Sequence, residues 1–253
     1  MHNIDQEPYR FSESTQNTMR HALRWRYALL RYFYTQFYLI SANGGTFWKP
    51  LFFEFPDEEH AYDDIERNIM IGPSIKFSPM IDNSSDTTQS FIMPGGRWCN
   101  IITYEYVTVS NLSDVTLPTD ASSLNLHLRP GHIIPLQRDA EEAKVNTTVD
   151  LNNMPMGLMI NPLVDSKASG EFYADDGVSE NPDRYTHIKL DFEYDGNAAN
   201  ITFNQISNNY TGAEYTKLKT IEIVGANIKN LYNLTKMKIN GGETIEGKCC
   251  SIL

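Results

Sequence analysis

The sequence has 253 residues and a mass of 28.9 kDa, which is enough for one large domain or two of ordinary size. Apolar residues make up 41% and charged residues 21%. This composition excludes a disordered chain, and no apolar run approaches the roughly 18 residues that a membrane-spanning helix needs. The 21 basic and 32 acidic side chains give a net charge of -11, which argues against binding to a nucleic-acid backbone.

The charge is distributed unevenly along the chain. Residues 1–56 contain six Lys/Arg and four Asp/Glu, a balance of +2, which leaves 15 and 28, a balance of -13, for residues 57–253. We therefore predict a boundary near Pro56.

The pattern of residues 13–43 predicts one long amphipathic helix. Ser12 or Ser14 can cap its first turn, and Gly44-Gly45 ends it. Apolar side chains recur every three or four residues: Met19, Leu23, Tyr27, Leu30, Tyr34, Phe37 and Tyr38. We expect this stripe to cover a larger core, and the basic residues largely off it to be solvated or ion-paired: Arg20, Arg24, Arg26 and Arg31.

A short apolar run follows the helix. Phe47–Phe55 is closed by Pro56 and predicts a fully buried strand. A helix followed by such a strand is half of a βαβ unit. Asp57, Glu58 and Glu59 then suit the first turn of a short helix that ends near Glu66.

From Ile69 onward, short β-rich segments alternate with turn signals such as Pro94-Gly95-Gly96 and Pro130-Gly131. The predicted strands are 75–81, 90–93, 101–109, 124–128, 133–136, 157–160, 170–174, 186–194, 200–206 and 218–224. This pattern is typical of antiparallel sandwiches. Residues 141–144 (Glu-Glu-Ala-Lys) are the expected linker between two such blocks.

The three cysteines, Cys99, Cys249 and Cys250, show no metal-ligand spacing and no disulfide framework. Adjacent cysteines rarely bridge each other, and the sequence does not say whether Cys99 pairs with either. The terminal Cys250-Ser251-Ile252-Leu253 fits a prenylation box, but the polybasic second signal of such anchors is missing.

Six Asn-x-Ser/Thr sequons occur, where random order of the same residues predicts about three. They are Asn83, Asn111, Asn146, Asn200, Asn209 and Asn233. One interpretation is a merely Asn-rich chain. The other, which we favour, is N-glycosylation of a protein of the secretory pathway, although residues 1–5 carry no signal-peptide pattern.

Several motifs follow one another in a fixed order over residues 2–177. They are His2-Asn3 with Gln6-Glu7-Pro8-Tyr9; Arg26-Tyr27-Ala28-Leu29-Leu30 through Tyr34-Thr35; Lys49-Pro50-Leu51-Phe52-Phe53-Glu54-Phe55-Pro56; Gly72-Pro73-Ser74; Met93-Pro94-Gly95-Gly96-Arg97-Trp98; residues 127–135, His-Leu-Arg-Pro-Gly-His-Ile-Ile-Pro; and Tyr173-Ala174-Asp175-Asp176-Gly177. This series resembles the carboxyl-terminal portion of glycoside hydrolase family 31, the α-glucosidase group. The sequence departs from the family at Lys49 (usually Arg), at Pro130 (usually Gly) and at Cys99-Asn100 (usually Tyr-Asp), and residues 178–253 match only in general β character.

The resemblance implies an α/β plus all-β fold in three parts. Residues 1–66 would be the end of a (β/α)8 barrel, with its last helices and eighth strand. Residues 67–140 and 141–253 would be a proximal and a distal antiparallel β-sandwich domain.

The implied activity is hydrolysis of terminal α-linked glucose with retention, by two carboxylates at the barrel's carboxyl face. The family's nucleophile and acid motifs, Trp-x-Asp-Met-Asn and Gly-Asp-Asn, do not occur in this sequence. We therefore expect the chain to be inactive alone. The expected partners are an α-glucoside or glycan substrate of the full-length parent and the missing barrel portion; no cofactor, metal, nucleic acid or transmembrane segment is implied.

One substrate-binding residue follows from the resemblance. His2 matches the histidine that closes the seventh barrel strand and hydrogen-bonds the glucosyl unit beside the scissile bond. The alternative is an initiator dipeptide with a disordered His2.

The pair Asp175-Asp176 before Gly177 suggests a turn or a surface calcium-type role rather than catalysis, because adjacent strand side chains point to opposite faces. Glu54 is expected to pair with an arginine of the preceding helix.

A second hypothesis is a non-catalytic carbohydrate-binding or interaction module. Aromatic side chains on a long concave β face would support it, and the candidates are Tyr104, Tyr106, Tyr185 and Tyr194. Structural roles are expected for the tryptophans and for the histidines without ligand spacing: Trp25, Trp48, Trp98, His21, His60, His127, His132 and His187.

Overall fold

The structure is a computed structural model that describes residues 7–81, 86–120, 122–138, 140, 145–164, 166–180, 182–195, 199–210 and 217–224, and the backbone of strands 236–239 and 244–246. Its helices are α1 (Glu13–Ala28), α2 (Leu30–Asn43) and α3 (Thr148–Asn152). Its strands are β1 (Trp48–Pro50), β2 (Ile69–Ile71), β3 (Ile75–Phe77), β4 (Thr88–Met93), β5 (Gly96–Asn100), β6 (Tyr106–Val109), β7 (Ser113–Pro118), β8 (Leu126–Leu128), β9 (His132–Leu136), β10 (Met156–Asn161), β11 (Lys167–Ala174), β12 (Thr186–Tyr194), β13 (Ala199–Asn208), β14 (Leu218–Ile223), β15 (Lys236–Ile239) and β16 (Thr244–Glu246).

The strands form two large sheets and one strand pair. The first sheet has the order β1-β2-β3-β8-β5-β6, the second has the order β14-β10-β9-β11-β12-β13-β15-β16, and β4 pairs with β7. Pairing in the first sheet is antiparallel, whereas the second also has the parallel pairs β9–β11, β10–β14 and β13–β15. The second sheet is therefore mixed, whereas the sequence predicted a purely antiparallel arrangement. Its parallel pairs need long crossover connections between the two strands.

Three apolar cores connect these layers. The first lies between α1, α2 and both large sheets, and includes Trp25, Leu29, Ile75, Leu128 and Ile134. The second is enclosed by β9–β14 of the second sheet. The third lies between the first sheet and the β4–β7 pair, around the fully buried Trp98. The described part is therefore mostly β-sheet with few helices.

The predicted long helix is broken into α1 and α2 at Leu29. The carbonyl oxygen of Ala28 accepts a hydrogen bond from the backbone N–H of Gln137 at 2.8 Å, and Leu29 takes φ -91° and ψ -1°. A donor from outside the helix thus opens its ladder of hydrogen bonds, which is a common cause of kinks.

The predicted buried strand over 47–55 is wrong. β1 ends at Pro50, which has no N–H to continue a ladder, and Leu51–Phe53 form a 3₁₀ turn. Trp48 and Phe53 are 51% and 58% exposed. The expected helix after Asp57 is likewise two 3₁₀ turns, Glu59–Tyr62 and Ile65–Arg67.

All ten predicted β segments from residue 75 to residue 224 overlap an observed strand. Strands β2, β5, β7, β15 and β16 and the five-residue α3 were not predicted. The structure does not confirm a barrel end in residues 7–67, because β1 is their one described strand and pairs antiparallel with β2. The domain limits stay a prediction, and the expected linker 141–144 lies outside the described residues.

Candidate functional site

Several predicted site residues lie outside the described part of the chain. These are His2, the sequon residues Asn83 and Asn233, and the cysteines Cys249 and Cys250. The glycosylation and substrate-binding predictions at these positions therefore remain predictions. Cys99 is described as a free, buried thiol, and burial raises its pKa to about 12.

The most extensive polar contact between the helices and the second sheet is the Asp175 cluster, formed by Tyr34, Tyr173 and Asp175. Asp175 Oδ1 accepts hydrogen bonds from Tyr34 Oη at 2.5 Å and from the Gly177 backbone N–H at 2.8 Å. Asp175 Oδ2 accepts from Tyr173 Oη at 2.9 Å. Burial first, and then hydrogen bonding to the carboxylate, raises the pKa of both phenols above the usual value of 10, so both donate throughout the physiological range.

The Asp175 cluster is extended by stacking and by a second polar pair. The Tyr38 ring stacks on Tyr173, with 3.6 Å between centroids and 7° between planes. Thr35 Oγ1 accepts a hydrogen bond from the Tyr173 backbone N–H at 3.1 Å. His187 Nε2 lies 2.6 Å from Glu171 Oε2. Helix α2 is thereby attached to the outer face of β11 and β12.

The two aspartates of the Asp175-Asp176-Gly177 motif have different roles. Asp176 is exposed, and its Oδ1 accepts hydrogen bonds from the backbone N–H groups of Val178 and Ser179. This is the predicted turn role. Asp175 is only 8% exposed and holds a helix that lies about 140 residues earlier in the chain, which the turn interpretation missed. No local signal in the sequence separates Asp175 from Asp176.

Arg31 is one of the helix arginines expected to be solvated or ion-paired, and it is buried rather than solvated. Its side chain is 9% exposed and donates hydrogen bonds to Gln137 Oε1 and Asn152 Oδ1, both at 2.9 Å. The Gln137 side chain in turn donates to the carbonyl oxygens of Leu151 and Met154. These hydrogen bonds connect Arg31 of α2 to α3 and to the residue that follows β9.

Glu54 corrects a second expectation, because its partners are Lys49 and Arg129 rather than a helix arginine. Lys49 Nζ hydrogen-bonds Glu54 Oε1, and Arg129 Nη1 lies 2.9 Å from Glu54 Oε2. Burial would raise the pKa of Glu54, but the two cations outweigh it and hold that pKa below its usual value. Both carboxylate oxygens are therefore occupied in a structural ion-pair network.

The buried side of the helices overlaps the predicted stripe only in part, because Tyr34 and Tyr38 of the stripe pack on the second sheet. None of the seven predicted stripe residues is fully buried, and Leu23 and Phe37 are 53% and 51% exposed. The face that packs on the sheets instead includes Trp25, Leu29 and Tyr32, each at most 4% exposed. Leu23 and Phe37 therefore lie on an outer side of the helices that the described chain covers only in part.

The tyrosines proposed for a sugar-binding face do not lie together. Tyr104 Oη donates to Glu222 at 3.0 Å, and Arg138 stacks on its ring. Tyr106 lies under Arg97, and Tyr185 stacks on Tyr173 beside α2. Tyr194, at the end of β12, packs against the core that the second sheet encloses. These contacts do not form an aromatic platform.

The remaining described candidates have structural contacts. Trp25 and Trp98 are buried, whereas Trp48 is half exposed against Phe77. The sequon residues Asn111, Asn146, Asn200 and Asn209 are all exposed.

Within the described ranges, no group of three or more His, Cys, Asp or Glu side chains is arranged to hold a metal ion, and no helix there is long and apolar enough to cross a membrane.

Two models of one enzyme family match the sequence. Residues 1–36 match the "Glycosyl hydrolases family 31 TIM-barrel domain", and residues 44–134 match the "Glycosyl hydrolase family 31 C-terminal domain". Together they cover half of the chain. The chain belongs to glycoside hydrolase family 31.

Individual family 31 proteins agree with this assignment. The chain is 33% identical over 199 residues to lysosomal alpha-glucosidase of Mus musculus, covering 71% of this chain and 20% of that protein. It is 30% identical over 221 residues to intestinal sucrase-isomaltase of Homo sapiens, covering 87% of this chain and 12% of that protein. The chain thus spans about a fifth or less of the length of these curated relatives.

Solved structures share the fold. The Tris-bound glucosidase II alpha subunit superposes with a TM-score of 0.78 at 22% identity, over 92% of this chain and 25% of that chain. The family 31 dextranase of Flavobacterium johnsoniae superposes with a TM-score of 0.70 at 20% identity, over 83% of this chain and 26% of that chain. The β-rich fold described above is therefore the fold of family 31 carboxyl-terminal regions.

Proposed function

We propose that this chain forms the carboxyl-terminal portion of a retaining α-glucosidase, which removes terminal α-linked glucose from oligosaccharides or glycans. We further propose that the chain is inactive until a (β/α)8 barrel that carries the two catalytic carboxylates packs against it. The observation that carries the proposal is the uncovered outer face of α1 and α2, in a segment that overlaps the match to the barrel model.

The outer face exposes two large apolar side chains. Leu23 and Phe37 are about half exposed, and full burial of such side chains stabilises by about 1.5–3 kcal/mol each. Covering the remaining half would therefore contribute about 1 kcal/mol at each position. The edge of β1 adds backbone groups, because β2 is its one partner among the strands that the structure describes.

The role of the sheets in this proposal is to hold the helices in place. The Asp175 cluster and the buried Arg31 fix α2 against β11 and α3. A barrel that packs on the opposite face of α2 would thus meet a rigid surface. His2, just before this helix pair in the chain, would contribute to the glucose site of the assembled enzyme, and no other residue of this chain is assigned to substrate.

The named relatives support the substrate class and the compartment. They include lysosomal alpha-glucosidase and intestinal sucrase-isomaltase, and the sequence has an excess of sequons. We therefore propose an α-glucoside or glycan substrate and passage through the secretory pathway.

The test is reconstitution of activity from two polypeptides. The first is this chain, and the second is the part of Mus musculus lysosomal alpha-glucosidase that precedes its match to this chain. Each is assayed alone and mixed, with 4-nitrophenyl α-glucoside as substrate. The expected result is no turnover by this chain alone and turnover by the mixture.

Variants make the test specific. Leu23→Glu with Phe37→Glu on the outer face should abolish the turnover of the mixture. The matched control, Val164→Glu with Val178→Glu, changes two residues that are 82% and 88% exposed on loops outside α1 and α2, and should leave turnover intact. Turnover that purifies with this chain alone would overturn the proposal.

A further inference from the structure

A cleft of about 500 Å³ lies on the second sheet, away from the helices. It runs across the outer face of β11, β12 and β13 and is bordered by the loop that carries Leu163. Its volume is within the range of sites that bind small molecules, roughly 300–1,000 Å³. Its lining includes Lys167, Ser169, Asp191, Glu193, Asn200 and Thr202.

Two of the lining residues belong to one sequon, Asn200-Ile201-Thr202. Because side chains alternate along a strand, Asn200 and Thr202 share the outer face of β13, while Ile201 is 1% exposed and points into the core. The strand pairing fixes their neighbours: Asn200 lies opposite Glu193, and Thr202 lies opposite Asp191. The sequon asparagine is thus exposed and is itself part of the cleft wall.

The walls of the cleft offer both the polar and the apolar contacts that a sugar needs. Lys167 and Glu193 form an exposed ion pair at 3.1 Å, and Asp191 accepts a hydrogen bond from Asn204 at 2.7 Å. These groups and the hydroxyl of Ser169 can donate to or accept from sugar hydroxyls and N-acetyl groups. Leu163, which is 47% exposed, adds an apolar surface at the rim.

We infer that Asn200 is N-glycosylated and that the first sugars of its glycan occupy this cleft. In the modification, Asn200 Nδ2 bonds to the anomeric carbon C1 of the N-acetylglucosamine at the reducing end of a lipid-pyrophosphate-linked oligosaccharide. The bond from C1 to the pyrophosphate oxygen breaks, the lipid pyrophosphate leaves, and one amide proton passes to solvent. The inference rests on the proposed secretory pathway and does not depend on α-glucosidase activity.

The position of this sequon sets it apart from the other described ones. The backbone of Asn200 is paired with β12 on one side and with β15 on the other, whereas Asn111 lies in the turn between β6 and β7. The sugar must therefore be added before the second sheet closes. The finished glycan at Asn200 is then held against the sheet, and that at Asn111 extends into solvent.

The experiment compares glycan release at two positions of one molecule. The full chain is secreted from a eukaryotic cell line, and site occupancy is read by mass spectrometry of glycopeptides. The native protein is then treated with an endoglycosidase that cuts between the first two N-acetylglucosamines. We expect occupancy at both Asn200 and Asn111, with release about tenfold slower at Asn200 and equal rates after denaturation.

Two variants separate the cleft from other causes of slow release. Asp191→Ala combined with Lys167→Ala should speed release at Asn200 and leave release at Asn111 unchanged. Thr202→Ala, which removes the sequon and retains Asn200, should abolish occupancy at that position alone. Occupancy of Asn111 with an empty Asn200 would overturn the inference, and so would equal release rates at the two positions in the native protein.

Discussion

Replacing Asp175 tests whether the sheets hold the helices through a single carboxylate. Asp175→Ala leaves the hydroxyls of Tyr34 and Tyr173 and the N–H of Gly177 without their acceptor. A hydrogen bond to a charged group contributes about 1.5–3 kcal/mol. Tyr34 is only half-buried, and its hydroxyl can bind water instead. We therefore expect the free energy of unfolding to fall by about 3 kcal/mol, which is the lower end of the range for two such bonds.

The assay for this loss is equilibrium unfolding in urea. With an m value of about 3 kcal/mol/M, the midpoint should fall by about 1 M, and amide exchange should accelerate in α2 more than in β4 and β7. The matched control is Asp176→Ala, an exposed carboxylate one residue away whose bonds stay within its own turn. Equal losses for Asp175→Ala and Asp176→Ala would refute the reasoning, because the helix contact would then contribute nothing.

Three further predictions concern titratable groups of the two large sheets and the packing of the second sheet. Burial lowers the pKa of His127 to about 3 and that of His132 to about 4, so the unfolded chain binds more protons than the folded chain below pH 6.5. The free energy of unfolding, measured by urea titration at each pH, should therefore be highest above pH 6.5 and fall as the pH drops through 4. The fall should be less steep in His132→Gln. Burial also lowers the pKa of Lys76 to about 7. The free energy of unfolding should therefore rise by up to about 1.4 kcal/mol per pH unit between pH 7 and 10. The same rise in Lys76→Met would contradict the assignment of this effect to Lys76. Gly170→Ala should lower the thermal midpoint sharply, because an added Cβ would overlap the carbonyl of Ile133 in β9. The control Gly177→Ala, with open space around it at φ +68°, should lower the free energy of unfolding by only about 1 kcal/mol. A larger loss of stability in Gly177→Ala than in Gly170→Ala would disprove the close approach of β9 and β11.

The parts of the fold that depend on local pattern could be predicted from the sequence. Short β-rich segments between turn signals located ten of the strands between 75 and 224, since both signals come from neighbouring residues. The family could also be recognised, because its motifs are short stretches of adjacent residues. Strands as short as β2 and β5 contain too few residues to be distinguished from the adjoining turns.

The parts that depend on distant partners could not be predicted. The periodicity of 13–43 showed an apolar stripe, but not which side of the helix this chain covers, because Trp25 and Leu29 lie off that stripe. The break at Leu29 is caused by Gln137, more than a hundred residues away. Likewise, nothing near Asp175 in the sequence distinguishes it from Asp176.

The central claim is that a barrel covers the outer face of α1 and α2, and side-chain footprinting with hydroxyl radicals measures this directly. The chain is oxidised alone and in the reconstituted mixture, and the oxidation of each side chain is read by mass spectrometry. We predict strong protection of Leu23 and Phe37 in the mixture, with Val164 and Val178 unchanged. Unaltered oxidation of Leu23 and Phe37 in a mixture that hydrolyses α-glucoside would contradict the account.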